Sequence, residues 1–198
     1  MSQDIRTFQT EIRGITPMLQ HNPYSRGEEL DGLIRILGKD PNNKEAYTKE
    51  AELYTNRDES GKLCIPSRQI KRAMELSGKA FRVKGERNKS YSDYMKAFVL
   101  VNPRMIPLEP QSYELHREFV RIGTARIMRT RPMLPMGWTA SFNLIVLDKS
   151  IPQDVLEDVL DYTGNFKGIG DHRGEFGRFE VTKFGALENN SSKKSKKP

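Results

Sequence analysis

Between Ile5 and Ile15 apolar and polar residues alternate, with Phe8, Thr10 and Ile12 two apart and Gly14 and Pro17 closing the run. A period of two is that of a half-buried strand, so the chain is expected to open with one. From Leu19 to Asn43 the composition turns polar and includes Pro23, Gly27, Gly38 and Pro41. Leu30, Leu33, Ile34 and Leu37 fit a short helix inside what reads as an insertion. Asn43 is placed to cap a helix through Ala46, Ala51, Leu53 and Tyr54. After a turn at Asp58–Gly61 come a short strand, Lys62–Ile65, and a helix that Ser67 is expected to cap. That helix aligns Ile70, Ala73, Met74, Ser77 and Phe81 on one face. Arg82–Ser92 reads as a surface loop, and Ala97–Val101 and Met105–Leu108, on either side of Asn102-Pro103, as a small hairpin or as edge strands.

The last third is patterned more strongly. Val120–Thr130 and Trp138–Leu147 read as two long strands joined by a turn over Pro132–Gly137. In the second, Trp138, Ala140, Phe142, Leu144 and Val146 face one way and Thr139, Ser141 and Asn143 the other, giving one buried and one polar face. Ser150 with Gln153 has the spacing of a capping box for a helix carrying Val155, Leu156, Val159, Leu160 and Tyr162, which Gly164 is expected to end. A loop over Asn165–Glu175 and a strand over Phe176–Phe184 follow. With the insertions removed the order is strand, helix, strand, strand, helix, strand. The fold class expected is α+β, a ferredoxin-like or RNA-recognition-motif βαββαβ core with insertions between the first and second core strands. The domain expected is a single one over residues 1–188, with insertions at about 19–43 and 82–118.

Composition bounds what this domain needs. With 198 residues, 36% of them hydrophobic, a folded chain buries roughly 70% of its unfolded surface, so neither disulfides nor a structural metal is required. Cys64 is the single cysteine, which excludes an intrachain disulfide and any multi-cysteine zinc or iron–sulfur site. No metal or other cofactor is expected. No apolar run approaches the ~20 residues of a membrane span, and MSQDIRTFQT lacks the layout of a signal peptide, so no membrane partner and a cytoplasmic location are expected.

Charge is placed unevenly. Of the net +7, Lys193, Lys194, Lys196 and Lys197 supply +4 within the expected disordered tail 189–198. That tail reads equally as a solubilising segment or as a nucleic-acid-binding arm. Phe119–Leu147 carries Arg121, Arg126, Arg129 and Arg131 and no carboxylate, which makes it electropositive wherever it is exposed. On a strand Arg129 and Arg131 share a face, with Arg121, while Arg126 points the other way unless a bulge near Gly123 shifts the register. Ion pairs with acids of the insertions are the plain alternative to a strand-binding groove. Tyr113, Phe119 and Phe176 are candidates for stacking bases; Trp138 and Phe142 belong to the core.

The densest chemical signal is GIGDHRGEFGRFEV, Gly168–Val181. Gly168, Gly170, Gly174 and Gly177 permit positive φ and close backbone approach, the means by which amides are aimed at phosphate oxygens. Lys167, His172, Arg173 and Arg178 add charge. A dinucleotide fingerprint follows a strand and opens a helix, whereas this loop follows a helix and opens a strand, so that reading fails. An ordinary glycine-rich turn tightening the entry to the last strand remains the alternative.

A glycine-rich loop between the second helix and last strand of a ferredoxin-like fold resembles the hallmark of the repeat-associated mysterious proteins, the RAMP superfamily of CRISPR subunits and RNA-processing nucleases. Gly168-Ile169-Gly170 and Phe176-Gly177-Arg178-Phe179 match its hydrophobic–glycine rhythm. Leu63–Ala73 is similar to the isoleucine-proline-glycine-serine segment that opens a helix in the backbone subunits, with Ser67 standing where the glycine is expected and Arg68 where the second small residue is. Ile15–Leu19 and Met128–Pro132 are similar to segments of phage and prophage proteins. The resemblance implies RNA as a partner, as well as a larger ribonucleoprotein complex.

Metal-free RNA cleavage needs an acid, a base and a cation for the phosphorane. His21 and Tyr24, after the first strand, and His172, in the glycine loop, are the candidates; the resemblance implies that the first region is where the family's nucleases carry a catalytic histidine. His116 sits in a polar connector, and Asp154, Glu157, Asp158 and Asp161 read as the solvated face of a helix. The function expected is therefore non-catalytic binding of single-stranded RNA or DNA. The alternatives are a metal-independent endoribonuclease and a homo-oligomeric phage assembly protein.

Overall fold

The structure is a computed structural model describing residues 5–23, 27–86 and 88–187. Tyr24 and the lysine tail lie outside the described residues. In chain order the elements are β1 (Arg6–Gly14), β2 (Met18–Leu19), α1 (Glu28–Lys39), α2 (Lys44–Tyr54), β3 (Cys64–Pro66), α3 (Ser67–Ser77), α4 (Ser92–Phe98), β4 (Val99–Asn102), β5 (Met105–Glu109), β6 (Glu114–Ile122), β7 (Ala125–Leu134), β8 (Thr139–Val146), α5 (Gln153–Tyr162) and β9 (Phe179–Ala186). The fold is α+β, with two antiparallel sheets. Among the described residues no helix is long and apolar enough to cross a membrane.

The main sheet runs β3-β5-β8-β1-β9, with β4 also paired to β8. Phe8 of β1 lies opposite Leu144 of β8 and Ala186 of β9. β4 and β5 are not a hairpin: both pair with β8, end to end along one edge, Val99 opposite Val146 and Leu108 opposite Ala140. The alternation in β1 and β8 puts Phe8, Ile12, Phe142 and Leu144 on the face that α3 and α5 cover with Ile70, Met74, Leu156 and Leu160. Trp138 is fully buried beside them because Gly14 leaves room: a Cβ there would stand 2.1 Å from the indole Nε1. That nitrogen donates to the Thr16 carbonyl at 2.9 Å, so the ring brings no unpaired polar atom into the core.

The second sheet, β2-β7-β6, departs from the sequence expectation. Val120–Thr130 is not one strand paired with Trp138–Leu147. Gly123, at φ 61°, turns the chain so that β6 folds back on β7, with Glu118 opposite Arg129 and Arg121 opposite Arg126. The strands paired with β8 are β1, β4 and β5, and β7 belongs to the separate sheet. Helices α1 and α2 bury Leu33, Leu37 and Ala46 against each other, and α2 lies on β7. Helix α1, from the first expected insertion, thus packs with α2, which lies on β7.

Caps differ in the same local way. Asn43 accepts the Ala46 N–H at 3.0 Å, as its position predicts. Ser67 is instead the first helical residue of α3, and its N–H donates to Arg104 O at 2.9 Å while Pro66 holds the cap position. Pro152 takes the cap position of α5, and the Ser150 N–H turns back to Asp148 Oδ1. Gly164 does not end α5; the chain continues in a π turn, Thr163–Lys167, that Gly168 closes at φ 66°. Helix α4, which buries Met95, lies partly in the stretch read as loop.

Candidate nucleic-acid interface

The glycine loop is held by its own amides. Gly168 N–H donates to Thr163 O at 2.8 Å, Ile169 N–H to Gly177 O at 2.9 Å, Asp171 N–H to Leu19 O at 2.9 Å and Gly177 N–H to Pro17 O at 2.8 Å. Gly170 N–H donates to Gln69 Oε1 at 3.1 Å. The expectation that Gly168 and Gly170 aim amides at phosphate is therefore corrected: both donors are engaged inside the protein. The glycines are needed for approach. A Cβ on Gly177 would stand 1.7 Å from Ile169 O, and one on Gly170 2.5 Å from Leu19 O, whereas Gly174 has open space around it.

These bonds bring the two segments that carried the resemblance into contact. Gln69, in the first turn of α3, grips the loop, and between them lies a cavity of about 550 Å³ lined by His21, Arg68, Arg72, Gly170, Asp171 and Arg173 among others. On the other side of Arg68 lies a second cavity, about 370 Å³, whose walls include Asn22, Asn56, Arg57, Ser67 and Arg104. Consecutive residues His21 and Asn22 enter different cavities. They are held there by Asn22 N–H donating to Tyr54 O at 3.0 Å, and by Gln20, whose buried amide bridges Cys64 O and Asn56 N–H. Five arginines from four segments thus converge on the start of α3. Asp171 is the one carboxylate among the described lining residues, and Arg131 Nε lies 3.1 Å from its Oδ2. Arg72 also bonds Glu75 at 2.8 Å. The sum is a strongly positive groove.

Of the residues singled out from sequence, Gly170, Arg173 and His21 line this groove. Arg131 stands behind it, touching Asp171 and, at 3.2 Å, His172 Nε2. Arg129 is not a surface cation: it is buried, with Nη1 3.0 Å from Glu50 Oε1, while Glu50 Oε2 accepts the Thr130 N–H at 3.0 Å. This is an ion pair like the one the sequence left as the alternative, but its acid comes from α2 and not from the expected insertions at 19–43 and 82–118. Arg121 and Arg126 sit at the far tip of the β6–β7 hairpin, Arg126 over the exposed ring of Phe119. Lys167 lies over Tyr162, and Arg178 is half-buried, its carbonyl accepting from Ile15 and Thr16. Phe176 is half-buried with its edge to His116.

His21 has the richest surroundings of the histidines. Its ring stacks on Tyr54 at 4.9 Å and its Nδ1 lies 4.0 Å from Asp171 Oδ2. Burial pushes the Tyr54 phenol above the ordinary tyrosine range, with Arg129 and Arg131 pulling the other way. Among the described residues no group of three or more His, Cys, Asp or Glu side chains is placed to hold a metal.

Sequence reading missed Arg57, Arg68, Arg72 and Arg104 as a set. They lie in three different contexts, the turn before β3, one helix and the β4–β5 turn, and no spacing links them. The open face of the main sheet, by contrast, offers no stacking platform on its two central strands: Thr7, Gln9, Glu11 and Arg13 of β1 face solvent with Thr139, Ser141, Asn143 and Ile145 of β8.

No protein-family model matches the chain, and no curated protein does. Among solved structures it is similar to a chain in the assembly described as "Cryo-EM structure of the Type III-B Cmr-beta bound to cognate target RNA", with a TM-score of 0.50 and 12% identity, over 93% of this chain and 61% of that one. The likeness is one of fold, and this chain spans about three fifths of its neighbour.

Proposed function

We propose that the chain is a non-catalytic, RAMP-like binder of single-stranded nucleic acid, holding the strand in the groove between the glycine loop and the start of α3. The observation that carries this reading is the convergence of Arg57, Arg68, Arg72, Arg104 and Arg173 on two adjoining cavities whose described lining residues include a single, already paired carboxylate. Guanidinium groups in a row suit a phosphate backbone, and cavity walls suit unstacked bases. The strand order β9-β1-β8 followed by β4 and β5 supports a ferredoxin-like core, since it is the order 4-1-3-2 of a βαββαβ unit. The RNA-bound assembly around the structural neighbour supports RNA as the strand and a larger complex as the setting. The polar open face argues against binding across the sheet in the manner of RNA-recognition motifs.

Fluorescence anisotropy with labelled single-stranded RNA, single-stranded DNA and duplex tests the reading. Single strands should bind, and affinity should fall steeply with salt. Arg68→Ala and Arg173→Ala should each flatten that salt dependence by roughly 0.7 in slope, the amount for one single-strand phosphate contact. Unchanged slopes in both variants would remove the groove from consideration.

The second reading, metal-independent endoribonuclease, is favoured by one observation. His21 lines the larger cavity with its Nδ1 4.0 Å from Asp171 Oδ2, so that a small approach of the two would orient the imidazole as a general base. Incubation of labelled RNA in EDTA separates the two readings.

A further inference from the structure

We propose that the larger cavity selects bases by their Watson–Crick edge, Gln69 Nε2 and Asp171 Oδ1 pairing with the carbonyl and ring N–H that uracil and guanine carry; this rests on, and refines, the groove reading. Gln69 lines the cavity from the first turn of α3. The glycine loop decides which way its carboxamide faces. Gly170 N–H is a donor, so the amide atom 3.1 Å from it is the oxygen, Oε1, and Nε2 is the branch left over. Among the described residues nothing hydrogen-bonds Nε2, and the atom is solvent-accessible. Asp171 follows Gly170 in the loop and lines the same cavity. Its N–H donates to Leu19 O at 2.9 Å, and its Oδ2 is buried 3.1 Å from Arg131 Nε and 4.0 Å from His21 Nδ1. Oδ1 is the accessible oxygen, and among the described residues nothing donates to it. Gly170 thus links a fixed donor to a fixed acceptor.

A donor next to an acceptor sorts the bases. Uracil presents O4 beside N3–H, and guanine O6 beside N1–H, so each meets Nε2 with a carbonyl and Oδ1 with a donor. Cytosine and adenine carry an amino group and a bare ring nitrogen in those places. Donor would then face donor and carboxylate face lone pair, and both protein groups would lose water without gaining a partner. The same account explains a carboxylate in a groove of arginines. Asp171 repels a phosphate, but a ring N–H is the donor that a carboxylate accepts well. The volume of about 550 Å³ lies inside the ~300–1,000 Å³ range of small-molecule sites, room for one unstacked base. Ile169 and Pro23 supply apolar wall, and the exposed Arg173 is left for the backbone.

Fluorescence anisotropy of the whole protein with labelled oligouridine and oligocytidine of one length tests this. The two strands differ only at the edge that is read, and oligouridine should bind about tenfold more tightly, the worth of one good base contact. Inosine in place of adenosine in an oligoadenosine strand, which exchanges the amino group and bare nitrogen for O6 and N1–H, should raise affinity in the same sense. Gln69→Glu keeps an oxygen for Gly170 N–H and turns the free donor into an acceptor. Asp171→Asn keeps an oxygen toward Arg131 and turns the free acceptor into a donor. Each should bring the oligouridine-to-oligocytidine ratio close to one, whatever it does to absolute affinity. Equal binding of the two strands by the parent, a preference for oligocytidine, or a tenfold ratio that survives in either folded variant would overturn the edge reading. If neither variant folds, the inosine strand decides on the parent, and no gain from inosine overturns it. Salt-dependent binding without base preference defeats the edge reading only. A uridine preference with unchanged salt slopes in Arg68→Ala and Arg173→Ala defeats the phosphate groove only, and failure to bind any strand defeats both.

Discussion

Arg129 separates what the sequence invites from what the tertiary structure does with it, and Arg129→Ala is the sharpest perturbation. Its guanidinium lies 3.0 Å from Glu50 Oε1, and Glu50 is fully buried. Burial, the dominant effect, raises the Glu50 carboxyl above its ordinary value of 4.5, while the Thr130 N–H and Arg129 hold it down. Removing Arg129 leaves a buried carboxylate with only the Thr130 N–H, and it escapes by taking a proton. From the ordinary 4.5 to pH 7, at ~1.36 kcal/mol per unit, that escape costs at most about 3.4 kcal/mol, in line with the ~3–5 kcal/mol for breaking a buried pair. A group whose folded pKa is raised has its stability fully present below the unfolded pKa and loses it as pH rises toward the folded one. Because the variant's carboxyl is raised further than the parent's, the penalty should be about 0.7 kcal/mol or less at pH 5 and grow toward pH 7. At roughly 2–4 °C per kcal/mol for a chain of this size, the melting temperature should drop at pH 7 by no more than about 7–14 °C, and by much less at pH 5. Calorimetry at both pH values, paired with anisotropy on single-stranded RNA, reads the result. A variant that melts like the parent at pH 7 but loses RNA affinity would refute the buried-pair account and return Arg129 to the binding surface.

Gly177→Ala, with its Cβ 1.7 Å from Ile169 O, should prevent folding or lower the melting temperature severely, whereas Gly174→Ala, in open space at φ 103°, should cost only the ~1–3 kcal/mol of backbone strain; equal effects in thermal melts would contradict the packing described. Cys64, fully buried and pushed by burial to a pKa of about 11, should resist thiol reagents at pH 8 until the protein is unfolded by denaturant, and rapid labelling of the native protein would place it nearer the surface. RNA incubated with the protein in EDTA should remain intact; scission that vanishes in His21→Ala would make the His21–Asp171 pair a catalytic one and move Arg131 and Arg173 to stabilising the phosphorane.

The alternation of β1 and β8, the 3.6-residue faces of α3 and α5, and the Asn43 cap were legible in the sequence because each is decided by neighbours a few residues away. The clustering of glycine at 168–177 was equally plain, and so was its position between the last helix and the last strand. What the loop's amides do was not. Gly170 N–H is claimed by Gln69, 101 residues earlier, and no local pattern announces a partner at that distance. The hairpin of β6 and β7 was hidden because one glycine with positive φ breaks what reads as a single strand into two antiparallel ones, and the polar run Glu114–Glu118 looks like a connector until it is paired. The arginines divide the same way. Their number and their freedom from local acids are properties of sequence, but whether each meets solvent or a carboxylate depends on Glu50 and Asp171, which lie 79 and 40 residues away. The binding groove belongs wholly to the tertiary level: Arg57, Arg68, Arg104 and Arg173 come together only because Gln20 ties the segment after β2 to β3 while Gln69 ties α3 to the glycine loop. Short-range periodicity fixes which faces are buried; long-range hydrogen bonds and ion pairs decide which charges are left to face a ligand.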